Sequence, residues 1–315
     1  MPKVSVIIPN YNHAPYLKER IDSVLNQTFH NFEVIILDDC SQDNSIEIIK
    51  QYTEHPKVNH IIYNEKNSGS TFKQWEKGIE LAIGKYIWIA ESDDWCENSF
   101  LENIIPELEK KESCVIGYCQ SYCIIGENKI SFQSNHPQLR EHIDGRTFLK
   151  EYSLRHPIFN ASMAVWKKEA FFKVSKDFTN YKFCGDWLFW IELCRHGDVF
   201  VSGKLLNYFR KHDKDVSGKA FKSGLNFIEE LNMLNSLVEK KVIDRDLYLS
   251  SLKNTYNRFK EGKDGYGKQT TNLLYNLFYT FPDIKKKLQI HYFKKHTKTV
   301  LRESLKRFFG FFSYL

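Results

Sequence analysis

Residues 1–94 alternate short apolar runs with helix-spaced segments, and this alternation restricts the fold more than any other feature of the chain. Val4-Ser5-Val6-Ile7-Ile8-Pro9 has the length of a buried strand and closes on Pro. Tyr16 to Gln27 sets Leu17, Ile21, Val24 and Leu25 at helical spacing. Phe32 to Leu37 reads as a second strand, residues 44–54 as a helix, and Asn59 to Tyr63 as a third strand. Phe72, Trp75, Ile79 and Ala82 share one face of a helix that starts near Ser70, and a fourth apolar strand follows from Tyr86. Strands and helices in alternation, joined by short loops, predict a parallel sheet with helices on both faces. Ligands of such sheets sit at the carboxyl ends of the strands. Pro9-Asn10, Asp38-Asp39 and Glu91–Asp94 all fall at that edge.

The stretch Tyr86–Trp95 (YIWIAESDDW) ends a buried strand on Glu91, Asp93 and Asp94. Three carboxylates there repel one another and are costly to desolvate, a cost that a divalent cation would remove. Carboxylate oxygens suit Mg²⁺ or Mn²⁺, which commonly bridge one or two carboxylates to a substrate's phosphates. The same residues also read as a solvated acidic turn capping the next helix, because Asp and Ser are good N-caps.

Farther along, Ser113–Tyr118 and Ser121–Ile125 read as extended, with a hairpin-like turn at residues 126–129 into Ile130–Phe132. Residues 133–145 read as loop, Phe148–Leu154 as a short helix, and Asn160–Trp166 as a strand leading into a helix near Lys168. Asp186 opens an apolar helix that runs to Arg195, where a simple helix N-cap is the commoner reading of such a residue taken alone. Arg210 and His212 lie two apart on an extended segment, so both side chains face one way. They read either as a site or as a polar edge.

Taken together, Val4–Asn12 (VSVIIPNYN), Leu25–Phe29 (LNQTF), Phe32–Ser45 (FEVIILDDCSQDNS), Asn67–Gly69 with Gly78-Ile79 and Ala82, and Tyr86–Asp94 resemble a family 2 glycosyltransferase of the bacterial surface-polysaccharide type. The resemblance covers about residues 1–215 and implies an α/β GT-A fold for them, a Rossmann-like, mostly parallel sheet flanked by helices, with a helical, basic region over 216–315. It implies a metal-dependent, inverting transfer from a nucleotide-diphosphate sugar to a glycan or lipid-linked acceptor. Asp39 would take the base's ring N–H, which suits a UDP-sugar, though thymine offers the same donor. Pro9, Asn10 and Tyr11 would line the base and ribose pocket. Asp93 and Asp94 would hold ribose and metal, their roles left open, with His212 as a further ligand of Mn²⁺ or Mg²⁺. Arg210 would bind phosphate, and Asp186 would be the general base. The chain departs from the family in beginning its acidic motif with Glu91, in Gly185-Asp186 where Glu-Asp is frequent, and in Gly69–Gly78 (GSTFKQWEKG), where Lys73 would supply a positive charge that an Ala-Arg-Asn segment supplies in many members.

Two other functions fit less well. A sugar nucleotidyltransferase needs a Gly-rich, basic loop after its first strand, and Asn10-Tyr11-Asn12-His13-Ala14-Pro15 has neither Gly nor Lys nor Arg. A non-catalytic, receiver-like binding module leaves Asp186 and the last hundred or so residues unexplained. Seven Cys form an odd set without Cys-x-x-Cys, which suggests reduced, structural thiols and a cytoplasmic setting. Residues 283–315 hold nine Lys or Arg against Asp283 and Glu303, so they carry a net +7 of the chain's +6. That charge, with Phe308, Phe309, Phe311 and Phe312, suggests contact with an anionic membrane surface at the inner face of the cytoplasmic membrane, or a helix packed on the enzyme. Nucleic acid is not an expected partner.

Overall fold

The computed structural model describes residues 1–126, 129–212 and 216–297. Two compact units divide the chain, Met1–Asp215 and Val216–Leu315.

The first unit begins with β1 (Val4–Asn10), α1 (Ala14–Leu25), β2 (Phe32–Asp38), α2 (Ser45–Lys50), β3 (Val58–Tyr63), α3 (Thr71–Leu81) and β4 (Tyr86–Ile89). These four strands pair in parallel in the order β3-β2-β1-β4. β1, β2 and β4 are buried throughout, as their largely apolar runs require when helices cover both faces. Pro9 is tolerated inside this sheet for a local reason. The pairing of β1 with β4 ends at Ile7 opposite Ile89, so the N–H that Pro9 lacks faces a position past the ladder.

The second half of the unit is less regular. It comprises β5 (Trp95–Cys96), α4 (Phe100–Lys110), β6 (Cys114–Ile125), β7 (Lys129–Gln133), β8 (Arg140–Ile143), α5 (Gly145–Glu151), β9 (Ala164–Lys167), α6 (Lys168–Phe171), α7 (Gly185–Leu193) and β10 (Asp198–Lys211). The sheet continues from β4 through β9, β6, β10 and β5, with β9 antiparallel to both neighbours and β10 parallel to β6. The result is a mixed, mostly parallel sheet. Two expectations change here, and one pairing has no counterpart in the sequence pattern. The two extended pieces before Ile125 are one strand, β6. The loop expected over 133–145 contains β8, which pairs with the start of β10. The two residues of β5, directly after the acidic turn, pair with Asn207 and Tyr208 of β10.

The second unit is helical over its described residues: α8 (Val216–Ser223), α9 (Leu225–Glu239), α10 (Arg245–Gly262), α11 (Lys268–Phe278) and a helix over 284–297. Among the described residues no helix is long and apolar enough to cross a membrane. The membrane-surface expectation rests largely on residues 298–315, which lie outside the described residues.

Candidate active site

Strand order β2-β1-β4 places the crossover of the sheet between β1 and β4. The loops leaving those strands therefore flank one crevice. From β1 come Asn10, Tyr11, Asn12 and His13; from β4 come Glu91, Ser92, Asp93 and Asp94.

The three carboxylates after β4 have separate environments. Asp94 turns inward and is 1% exposed. It accepts from Asn160 Nδ2 at 2.5 Å and from the Arg210 backbone N–H at 3.0 Å, and Arg20 Nη2 lies 3.9 Å away. Burial pushes its pKa up to about 7, aided by repulsion from Asp93 and opposed by Arg20. Glu91 accepts from the indole N–H of buried Trp75 at 3.1 Å. Burial, then the charges of Asp93 and Asp94, push its pKa up to about 8. Asp93 behaves oppositely. Burial acts to raise it, but the hydrogen bond from His212 and the positive charges of His13 and His212 hold it below the usual carboxylate range. His212 Nε2 lies 3.1 Å from Asp93 Oδ2, and one ligand atom each from His13, Asp93 and His212 fall within 4.8 Å of one another. An imidazole–carboxylate cluster of this kind fits a divalent cation. Of the three residues expected at the metal, the structure joins Asp93 and His212 and separates Asp94, whose carboxylate is used to tie β4 to the second half of the sheet.

Arg210 does face the same way as His212, yet it is a buried strut. Its guanidinium lies 4.5 Å from the Tyr16 ring and 4.3 Å from the Trp95 ring. It donates to the Asp93 carbonyl and to Glu19, each at 2.6 Å. Two of its N–H groups are thus engaged by protein acceptors. Arg20, which the sequence reading passed over, is fully buried and donates to the Glu91 carbonyl at 2.9 Å. Its signal was available, since it occupies a place on the apolar stripe of α1 with Leu17, Ile21 and Val24.

Asp39, at the end of β2, is 5% exposed. Its carboxylate accepts from Asn64 Nδ2 at 2.6 Å, the Ser68 hydroxyl at 2.7 Å and Gln74 Nε2 at 2.9 Å, as well as the Ser68 N–H. Asp38 and Asp43 hold loops. Asp38 accepts from Asn10 Nδ2 and the Ser41 N–H, and Asp43 accepts from the Ala14 N–H at the start of α1. Pro9 and Asn10 are buried, whereas Tyr11 is 45% exposed at the mouth of the crevice. Lys73 lies on the exposed side of α3 and donates to the Ser68 carbonyl at 3.2 Å, so its charge supports the 64–70 loop.

α7 is apolar on nearly every side and its residues are buried from Trp187 to Leu193, as a helix sunk in a core must be. Asp186 lies in its first turn, half-buried, and accepts from the Trp187 N–H at 2.7 Å. Its charge adds, as the smallest contribution, to the upward push on Glu91. The glycine before it is required by packing. A Cβ at Gly185 would lie 2.3 Å from the Phe72 ring and 2.5 Å from the Phe178 carbonyl. The close approach of α7 to α3 thus explains why this chain lacks the more frequent Glu at that position.

Known proteins resemble this chain in sequence and in fold. An uncharacterized glycosyltransferase of Rickettsia typhi is 29% identical over 79% of this chain and 75% of its own length. The glycosyltransferase GlyG of Streptococcus pneumoniae is 29% identical over 52% of this chain, which spans about half (51%) of it. The S. aureus TarS 1-349 structure in complex with UDP-GlcNAc superposes with a TM-score of 0.70 at 19% identity, covering 92% of this chain and 83% of that one. The mannosyltransferase PcManGT of Pyrobaculum calidifontis, in complex with GDP-Man and Mn²⁺, gives 0.56 at 14% identity, covering 95% and 87%. Both superpositions are likenesses of fold. The glycosyl transferase family 2 model matches residues 5–174, more than half of the sequence, and the chain belongs to that family with the GT-A fold expected of it.

Proposed function

We propose that this chain is a metal-dependent, inverting glycosyltransferase that moves a sugar from a nucleotide-diphosphate donor, a UDP-sugar by preference, to a hydroxyl of a glycan or lipid-linked saccharide in polysaccharide biosynthesis. The observation that carries the reading is the junction of Asp93 with His212 at the crossover of the sheet. Asp93 and His212 would hold Mn²⁺ or Mg²⁺, whose charge offsets that of the departing diphosphate. Asn10 and Tyr11 would line the base and ribose pocket. Asp39 would accept the base's ring N–H once one of its protein donors, Gln74 or Ser68, gives way. Asp186 would accept the proton of the acceptor hydroxyl as its oxygen attacks the anomeric carbon. The bond from that carbon to the diphosphate oxygen breaks on the opposite face, and its electron pair leaves with the nucleotide. A single displacement inverts the configuration and needs no enzyme nucleophile.

Calorimetric titration of the full chain with UDP, GDP and dTDP tests the binding half of this reading. UDP should bind most tightly, and far more tightly with Mn²⁺ than in chelator; equal affinity in both overturns metal dependence. NMR of the glycoside formed from a UDP-sugar should show an anomeric configuration opposite to the donor's, and retention overturns the single displacement.

A further inference from the structure

Asp93 and His212 give a bound ion two protein donors. We infer that His13 is a third, and that two imidazoles beside one carboxylate bias this chain toward Mn²⁺ and against Mg²⁺. The inference rests on the metal-dependent reading above and extends it to ligand count and metal choice.

Four observations support it. The donor atoms of His13, Asp93 and His212 already lie within 4.8 Å of one another. Two ligands bonded to one ion at about 2.1–2.2 Å sit at most about 4.4 Å apart. Only opposed ligands reach that separation and adjacent ones sit about 3 Å apart, so the cluster coordinates once its side chains close in by on the order of 1 Å. The imidazoles of His13 and His212 stand nearly perpendicular, with centroids 5.4 Å apart, so the two rings are neighbours and are not stacked face to face.

The third observation is at the other ring nitrogen. His13 Nδ1 lies 2.8 Å from the hydroxyl of Ser92, a residue only 1% exposed. Metal-binding histidines are commonly oriented through the ring nitrogen that does not ligate. With Nδ1 engaged by Ser92, we assign Nε2 as the coordinating atom. Ser92 stands between Glu91 and Asp93, so the turn that presents the carboxylate also orients the imidazole.

The fourth is what His13 does not do. It occupies the N-cap position of α1, where Ser, Thr, Asp or Asn would normally serve, and its side chain makes no cap hydrogen bond. Asp43, from the next loop, accepts from the Ala14 N–H instead. Capping is delegated, and position 13 carries a side chain suited to a different task. Mg²⁺ is hard and takes oxygen ligands almost exclusively, whereas imidazole suits later and softer divalent ions. Replacing one oxygen donor by a second imidazole therefore penalises Mg²⁺ more than Mn²⁺.

The test uses Mn²⁺ itself on the full chain without nucleotide. Pulsed electron paramagnetic resonance should show nitrogen coupling from two imidazoles, and titration of the free-ion signal should require roughly 100-fold excess Mg²⁺ for displacement. His13→Gln should leave one imidazole coupling, weaken Mn²⁺ binding at least tenfold and reduce the preference over Mg²⁺. Ser92→Ala should weaken it by about 10-fold to 100-fold while keeping both couplings, the range for losing an outer-shell partner. Thermal melts establish that each variant folds. If His13→Gln does not, the wild-type coupling decides, and a single imidazole overturns the inference. Unchanged coupling and affinity in His13→Gln also overturn it, while Mn²⁺-dependent UDP affinity would leave the broader reading standing. Absence of Mn²⁺ binding with and without UDP overturns both.

Discussion

The two halves of the sheet in the first unit were assembled by different kinds of contact. In β3-β2-β1-β4, neighbouring strands are joined by one helix each or lie one crossover apart, and the polar links are correspondingly local, as between Asn10 and Asp38. In β9-β6-β10-β5, the strand that brings His212 to Asp93 arrives 119 residues later, and Asn160 reaches Asp94 from 66 residues away. The first half offers the residues of the proposed nucleotide pocket, which lie near one another in sequence. The second completes the site only after long-range pairing. Substitutions in the first half should thus change binding with the fold intact, whereas those at the junction should disturb affinity and stability together.

The largest expected effect is at Asp186, whose Asn variant should transfer sugar on the order of 10²- to 10⁴-fold more slowly with donor and Mn²⁺ affinity preserved. Near-normal transfer would reduce Asp186 to a helix-turn residue; loss of donor affinity would move it into the nucleotide site. At the junction, Asp93→Asn should lower Mn²⁺-dependent UDP affinity by on the order of 100-fold, at the upper end of what outer-shell losses cost. Asp94→Asn should chiefly lower thermal stability, because its partners are Asn160 and the Arg210 backbone. If Asp94→Asn instead abolished metal dependence with an unchanged melting temperature, the division of labour between the two carboxylates would be reversed.

Arg210→Leu is the sharper test of the comparison. It removes a buried guanidinium from between Tyr16 and Trp95 and leaves the Asp93 carbonyl without its donor. The expected loss is about 2–3 kcal/mol, read by urea denaturation, together with weaker metal binding because Asp93 is no longer held. Full stability with selective loss of UDP affinity would return Arg210 to a phosphate-binding role.

Smaller again is the pH effect at Glu91. Its pKa is raised from the ordinary 4.5 to about 8, so the folded chain retains a proton that the unfolded chain has released. Folding stability of the metal-free protein therefore falls as pH rises from about 4.5 to about 8. Asp94, raised to about 7, acts in the same direction. Asp93, held below its usual range, acts in the opposite sense and loses its contribution as pH falls. Glu91→Gln keeps an acceptor for Trp75 and cannot ionise. Its melting temperature should exceed that of wild type at pH 8 by several degrees and match it near pH 4.5. A constant difference across that range would show that Glu91 does not titrate in this window.

The parallel half was legible because burial on both faces demands apolar runs of strand length, and helix-spaced residues followed each of them. The acidic turn was legible for the converse reason, since charge at the end of such a strand is costly without a partner. β8 was not, because Arg140–Ile143 is only four residues long, three of them polar, and becomes a strand only through its hydrogen bonds to β10. Nor was β5, two residues that pair only because Asn207 and Tyr208 pass alongside. His13 and Ser92 went unremarked in a loop and a turn, where neither spacing nor hydropathy distinguishes a ligand from a solvated residue.

Sequence pattern by itself determined the α/β class, the edge of the sheet where chemistry sits, and the residue types offered there. Those follow from burial and periodicity, which act locally along the chain. Only the tertiary structure decided which groups meet. It turned Asp94 inward to Asn160, set Arg210 between two rings, filled Asp39 with protein donors, and gathered His13, Asp93 and His212 into one cluster. The physical reason is that a carboxylate's role depends on the charges, hydrogen-bond donors and water within a few ångströms of it, and here most of those neighbours come from remote parts of the chain.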